Sequence, residues 1–161
     1  MQKKIRKLPI LPFLFSLFVT FVAGGVGQLF TYKEISTWYA SLHKPAFTPP
    51  NSIFGPVWTS LYFLMALSLT IILQKNSTKR KTIALELFFV QLVLNSLWSI
   101  IFFGFHQIQF ALTDIIVLFI FIMLTLFLFW KLSKTAAILL APYLVWVGFA
   151  SILNLFIFIL N

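Results

Sequence analysis

Five long apolar runs separated by short polar links constrain this chain more than any other feature of its sequence. A membrane-spanning helix needs roughly 20 mostly apolar residues to cross a hydrocarbon core about 30 Å thick. Of the 161 residues, 61% are hydrophobic and 9% are charged, whereas a soluble domain carries about 25% charged residues. We therefore predict an all-α integral membrane bundle of five transmembrane helices, formed by residues 1–161 as a single domain. The predicted spans are 8–30, 54–74, 83–105, 110–130 and 136–160.

The basic residues predict how the bundle is oriented in the membrane. Of twelve Lys and Arg residues, ten fall in the segment 1–7 and in the links 75–82 and 131–135. Cytoplasmic segments carry an excess of these residues, so we place the amino terminus in the cytoplasm. We expect the run 8–30 to be retained, because it is longer than the apolar core of a signal peptide, roughly 7 to 15 residues. Topology thus explains the net charge of +9, and the expected partner is the lipid bilayer rather than nucleic acid.

The sequence contains few of the residues that catalysis and metal binding require. The chain has no cysteine, which excludes thiolate metal sites and thiol nucleophiles. His43 and His106 do not have a metal-ligand spacing, so we expect no metal site and no required cofactor. We interpret Asp114 as a first-turn partner of a helix dipole, and Glu86 as an interfacial ion pair with Arg80 and Lys81, rather than as a general acid and base.

A loop rich in proline and aromatic residues, 31–53, precedes the second span and has the composition of a lid over a binding site. Proline fixes φ and disfavours a helical conformation in the residue before it. We therefore predict a rigid, non-helical path from Lys44 to Asn51. Asn51 or Ser52 is expected to cap the helix that follows, with Pro56 in its first turn.

Helical periodicity places polar and aromatic side chains on the inward faces of three spans. These faces consist of Trp58, Tyr62 and Met65; of Gln91, Asn95, Trp98 and Phe102; and of Trp146, Ala150 and Asn154. Asn95 either hydrogen-bonds a ligand or forms an interhelical polar pair, and the pattern favours neither. On the first span, Ala23 and Gly27 either let helices pack closely or leave space for a ligand.

The sequence resembles the TspO/MBR family, which includes the translocator proteins and the tryptophan-rich sensory proteins. Around the loop, the matching residues are Trp38, Tyr39, Lys44, Pro45, Thr48, Pro49, Pro50, Pro56, Val57, Trp58 and Tyr62. The resemblance continues through 91–104, 111–114 and 141–154, so it covers essentially the whole chain.

This resemblance implies a pocket among the five helices, under the first loop, that binds porphyrins (protoporphyrin IX, haem) and benzodiazepine-site ligands. It also implies a homodimer, and bacterial relatives are associated with light-dependent porphyrin degradation. Trp58 and Trp146 match two positions on opposite pocket walls and are the candidate catalytic residues, as electron donors. The candidate ligand-binding residues are Tyr39, Pro49, Trp58, Asn95, Trp98, Trp146 and Ala150.

Two departures from the family pattern bear on the ligand. Tyr143 is followed by no basic residue through Asn161, so a proposed cholesterol motif is missing, and Phe47 stands where many relatives have Trp. Two other functions remain open: a transporter of porphyrins or other amphipathic metabolites, and a stress-response interaction protein. The composition favours a bacterial, multi-pass protein of the cell membrane.

Overall fold

Five long helices and one short helix make up the fold. The computed structural model describes residues 9–161, and every regular element within them is helical. The elements are α1 (Ile10–Glu34), α2 (Trp38–Ser41), α3 (Asn51–Leu73), α4 (Lys79–Ser99), α5 (Ile108–Leu132) and α6 (Lys134–Leu160). A π-helical segment, Ile100–Gly104, continues α4. The long helices, counted with this segment, have 23 to 27 residues and are apolar enough to cross a membrane. The predicted all-α bundle of five spans is confirmed.

The long helices extend beyond the apolar runs that predicted them. α1 continues four residues past Phe30, and α3 begins three residues before Phe54. Two other helices begin earlier because a polar residue caps them: Thr78 accepts a hydrogen bond from the backbone N–H of Lys81 (3.2 Å), and Ser133 accepts one from Ala136 (3.4 Å). Leu8, the first residue of the first predicted span, lies outside the described residues.

The start of α3 differs from the prediction. Asn51 is the first helical residue, the capping position is Pro50, and no side chain caps the helix. Pro56 is therefore the sixth residue of α3 rather than a first-turn residue. The physical reason is that Pro50, with φ −54° and ψ 141°, ends the extended path and allows a helix to begin directly after it.

The interpretations of two acidic residues were also wrong. Asp114 lies in the second turn of α5, and the first turn has no acidic residue. Glu86 is exposed, and within residues 9–161 it forms no ion pair with Arg80 or Lys81. Lys81 instead donates hydrogen bonds to the carbonyls of Leu73 (2.8 Å) and Lys75 (2.7 Å), where a cation complements the carboxyl end of α3.

The long helices form a closed ring in the order α1, α3, α6, α5, α4. Hydrogen bonds join neighbouring helices: Ser68 of α3 donates to the Ala136 carbonyl of α6 (2.7 Å), and Ser96 of α4 donates to the Ala23 carbonyl of α1 (2.9 Å). In a bilayer such bonds help hold helices together, since lipid is as apolar as the helix surfaces.

One half of the ring is densely packed. The fully buried side chains of this packed half include Met65, Leu69, Ile72, Phe88, Ile122, Phe129 and Leu140. They lie toward the links that join α3 to α4 and α5 to α6. The opposite half, next to the first loop, is where the bundle opens into a cavity.

Candidate ligand-binding cavity

A cavity of about 580 Å³ lies between α1, α3, the end of α4 and α6, with Tyr39 of α2 in its wall. This volume is within the range of small-molecule sites, about 300–1,000 Å³. No residue of α5 lines the cavity. The lining is mostly apolar and aromatic, so the cavity suits a flat, largely apolar ligand.

Glycines of α1 make room for the cavity and for the helices around it. Gly24, Gly25 and Gly27 all line it. A Cβ at Gly24 would overlap the Tyr62 ring, and one at Gly27 would lie 2.9 Å from the Ser99 hydroxyl oxygen. At Gly25, a Cβ would meet nothing within 4 Å. The glycines therefore allow α1 to approach α3 and α4 closely, which agrees with both uses expected of this small-residue segment.

The tryptophans of the three predicted faces line the cavity, each packed against another aromatic ring. Trp58 stacks on Tyr62 (5.6 Å between centroids, 27° between planes), and Trp98 stacks on Phe102 (5.1 Å, 18°). Trp146 meets Phe54 edge to face at 5.9 Å. Trp58 and Trp146 come from neighbouring helices, α3 and α6.

The π-helical end of α4 adds a ring that the predicted face did not include. Phe102 continues the face of Gln91, Asn95 and Trp98, as expected. Phe103 is also buried and lines the cavity. A π turn shifts the residues that follow it around the helix axis, and such turns are frequent at functional sites. As a result, two consecutive phenylalanines contribute to one wall.

Asn95 does not line the cavity. Its Oδ1 accepts a hydrogen bond from the Tyr62 hydroxyl (2.6 Å), and its Nδ2 donates one to the Tyr143 hydroxyl (3.1 Å). The side chain is 5% exposed, so α3, α4 and α6 are joined beneath the cavity by this amide. The sequence left two roles open for Asn95, a ligand hydrogen bond and an interhelical polar contact. The structure shows the interhelical contact.

Two predicted loop contacts differ in position. Tyr39 lines the cavity and is 6% exposed; this burial raises the pKa of its hydroxyl. Pro49 is half-buried and is not part of the lining. Phe47 meets Phe156 of α6 edge to face at 5.3 Å, so the loop packs onto the bundle without an indole at that position. Ala150 lines the cavity as expected.

Among the described residues, the cavity has no formal charge in its lining, and its polar side chains include Gln28, Thr31, Asn51, Ser52, Thr59, Ser99 and Asn154. The indole N–H of Trp98 donates to Oδ1 of Asn154 (3.0 Å). The indole nitrogen of Trp146 is buried and has no hydrogen-bond partner within residues 9–161. A buried ligand charge would have no counter-charge in the described lining. The described residues include no cluster of metal-ligating side chains.

Several lining residues were not predicted. They include Phe54, Ser99, Phe103, Leu153 and Ile157. Phe54 lies one turn before Trp58, and Leu153 is adjacent to Asn154. A wider inward face on each helix would therefore have included both residues. Phe103 could be predicted only with the π-helical segment known.

Comparisons with known proteins identify the family of the chain. The model of the TspO/MBR family matches residues 15–160. The chain is 45% identical, over 152 residues, to the "Tryptophan-rich protein TspO" of Archaeoglobus fulgidus, covering 94% of this chain and 98% of the relative. It is 36% identical to the "Tryptophan-rich sensory protein" of Cereibacter sphaeroides (86% and 87% covered). It is 37% identical to the human "Translocator protein" (80% and 78% covered). With five membrane-spanning helices and a match over nearly its whole length, the chain belongs to the TspO/MBR family.

Proposed function

We propose that this protein is a receptor-like membrane protein that binds porphyrins, such as protoporphyrin IX or haem, and benzodiazepine-site ligands in the cavity. The observation that carries the proposal is the set of three tryptophans, Trp58, Trp98 and Trp146, around one apolar cavity of about 580 Å³. Indoles offer large flat surfaces for stacking on a planar macrocycle. The proposal includes a cell-membrane location, a cytoplasmic amino terminus and a homodimer.

The uncharged lining indicates how such a ligand would lie. A carboxylate buried without a partner costs several kcal/mol, so the acidic groups of a tetrapyrrole would remain at the loop end while the ring enters. The buried indole N–H of Trp146, which has no partner among the described residues, would donate a hydrogen bond to a ligand acceptor, such as a carbonyl or an unprotonated pyrrole nitrogen, after a turn of the indole.

Fluorescence titration with protoporphyrin IX in the dark tests binding. We expect saturable quenching of tryptophan emission, and an affinity that falls roughly twofold to tenfold in Trp58→Phe and Trp146→Phe, because phenylalanine offers a smaller stacking surface than an indole. Trp130→Phe is the matched control, because Trp130 is 45% exposed and does not line the cavity. Quenching that never saturates and is equal in all variants would mean partitioning into the detergent, and the proposal would be wrong.

Light-dependent porphyrin degradation is the enzymatic part of the proposal. Trp58 and Trp146 are the candidate electron donors to a photoexcited porphyrin. At a porphyrin concentration that saturates both proteins, we expect Trp146→Phe to bind the porphyrin but to lose product formation under illumination, measured as the decay of the porphyrin absorption band. Equal decay in the variant and in the wild type would assign the photochemistry to free porphyrin.

Transport is less well supported than binding. The packed half of the bundle, from Met65 to Ile72 on α3 and around Phe88 on α4, leaves the cavity closed toward the links. Vesicles with porphyrin trapped on one side separate the two functions, since a binder saturates at protein stoichiometry. A stress-response interaction protein would keep its cellular phenotype when Trp58 and Trp146 are both replaced.

A further inference from the structure

A cluster outside the cavity joins three segments of the chain at the loop end. His106 Nε2, in the link after the π-helical segment, lies 3.2 Å from Glu34 Oε2 at the end of α1. The imidazole ring also stacks on Trp38, the first residue of α2, at 4.2 Å and 14°. The Thr37 hydroxyl lies 3.1 Å from the same Glu34 oxygen. One imidazole therefore contacts both sides of the turn that leads into α2.

The backbone holds this imidazole in place. His106 has φ 56°, in the left-handed region that residues other than glycine rarely occupy. On either side, the N–H of Phe105 donates to the Ile100 carbonyl and the N–H of Gln107 donates to the Ile101 carbonyl, both at 3.0 Å. The link is thus anchored to the π-helical segment, and the ring of His106 is directed onto Trp38.

A movement of Trp38 would displace Tyr39 in the cavity wall. Trp38 is followed by Tyr39, which lines the cavity and packs against Phe102 (6.2 Å) and Phe103 (5.7 Å). α2 has only four residues, too few to be stable by themselves. Its position therefore depends on the contacts of its side chains, among which the stacking of Trp38 on His106 is one of the closest.

We propose that His106 is a positioning residue that holds α2 over the cavity, and that it does so more strongly when its imidazole is protonated. A protonated ring adds charge to the contact with Glu34 and a cation–π attraction to Trp38. Histidine is the side chain whose charge ordinarily changes between pH 5 and 8. The inference rests on the proposed function only in taking the cavity as a ligand site.

The other charged or titratable groups at this end do not duplicate the contact. Lys33 precedes Glu34 on α1, and Tyr39 follows Trp38 on α2. His43, the other histidine, is exposed in the loop after α2, where its backbone N–H donates to Oδ1 of Asn161 (3.0 Å). Lys44 of the loop is engaged with the Tyr39 carbonyl (2.6 Å), and Asp114 lies two turns along α5. The His106 and Glu34 side chains are 43% and 28% exposed, so solvent screens the pair and the expected effect is modest.

The dissociation rate of protoporphyrin IX dimethyl ester from the full chain in lipid nanodiscs tests the proposal. The ester has no carboxylates, so its own charge does not follow the pH as the free acid's would. We expect wild-type dissociation to be about fivefold slower near pH 5.5 than near pH 8. In His106→Asn, where asparagine tolerates a left-handed backbone, little of this dependence should remain. Glu34→Gln keeps the stacking of His106 on Trp38, so it should show a reduced dependence. His106→Arg, charged throughout, should dissociate slowly at both pH values. A full pH dependence in His106→Asn would overturn the proposal.

A measurement without ligand separates this inference from the proposed function. The emission of Trp38, obtained as the difference between wild type and Trp38→Phe, should fall as the pH is lowered, because a protonated imidazole quenches a stacked indole. The fall should be absent in His106→Asn. If the ester does not bind at all, the proposed function is wrong while this readout still decides the role of His106: emission that is independent of pH would overturn it.

Discussion

Gln91 and Asn95 are buried amides one turn apart on α4. Among the described residues, Asn95 has hydrogen-bond partners and Gln91 has none. Gln91 is fully buried, and neither amide atom has a hydrogen-bond partner among the described residues. Leaving such a group unsatisfied costs about 1–3 kcal/mol. We expect Gln91→Leu to raise the unfolding temperature in detergent, and Asn95→Leu to lower it by releasing the Tyr62 and Tyr143 hydroxyls. A lower unfolding temperature for Gln91→Leu would show that its amide is satisfied.

Tyr39 links the stability of the loop to alkaline pH. Burial raises the pKa of its hydroxyl above the ordinary value, about 10. Its neutral form therefore contributes stability that is fully present below the ordinary pKa and is lost as the pH rises through the raised one. We expect Tyr39→Phe, which cannot ionise, to lose less thermal stability than wild type between about pH 9 and about pH 11. Equal losses in the two proteins would contradict this.

At the scale of single residues, periodicity predicted which side chains point inward but not how far along the helix the cavity extends. Trp58, Trp98, Trp146 and Ala150 line it as predicted. Asn95 is on the same face as Trp98 but lies below the cavity, because two tyrosine hydroxyls from other helices reach its amide. Those partners are distant in sequence, so no pattern within α4 could have indicated them.

At the scale of elements, the effect of replacing a glycine of α1 on the stability of the bundle depends on whether that glycine faces α3. The Tyr62 ring facing Gly24 is held by Trp58 and Asn95, so it cannot move aside for a Cβ. We expect Gly24→Ala to destabilise the bundle by about 1–3 kcal/mol. Gly25→Ala is the matched control and should be neutral or stabilising by up to about 1 kcal/mol, since alanine favours helix. Denaturant unfolding in mixed micelles measures both; equal effects would mean that α1 shifts freely.

The ends of the elements were harder to predict than their existence. Apolar runs locate the parts of helices that lie in hydrocarbon, because lipid selects for those residues. Helices continue beyond that zone where caps or backbone bonds satisfy their ends. The residue that caps α4, Thr78, can be recognised in the sequence. The start of α3 at Asn51 cannot, because it depends on the backbone conformation of Pro50. Proline preferences alone predicted that the extended segment continues through Asn51.

At the scale of the whole molecule, the described cations are unequally divided between the two ends. Two cations, Lys33 and Lys44, lie at the loop end. Six lie in or beside the links at the other end: Lys75, Lys79, Arg80, Lys81, Lys131 and Lys134. The chain has no native cysteine, so single cysteines can be labelled selectively. We expect Asn76→Cys to react with an impermeant maleimide only in inverted vesicles, and Ser41→Cys only in intact cells. The reverse pattern would place the amino terminus outside.

The five-helix architecture was predictable because the sequence has five long apolar runs, and a helix satisfies the backbone groups of each run within lipid. The order of the helices around the ring was not, since it depends on contacts such as Ser68 with Ala136 and Ser96 with Ala23 that join distant parts of the chain. The location of the cavity follows from that order together with the glycines of α1. For this reason the residues of the site were predicted better than the shape they enclose.

The unequal packing of the two halves has a consequence for how such a protein can diverge. Residues such as Leu69, Phe88, Ile122 and Leu140 hold the helices together without touching the cavity. Under the proposed function, substitutions at lining positions with free space around them, such as Gly25, would change what is recognised while the packed half preserves the fold. Such a bundle would acquire new ligands by few amino-acid changes, with the scaffold inherited intact.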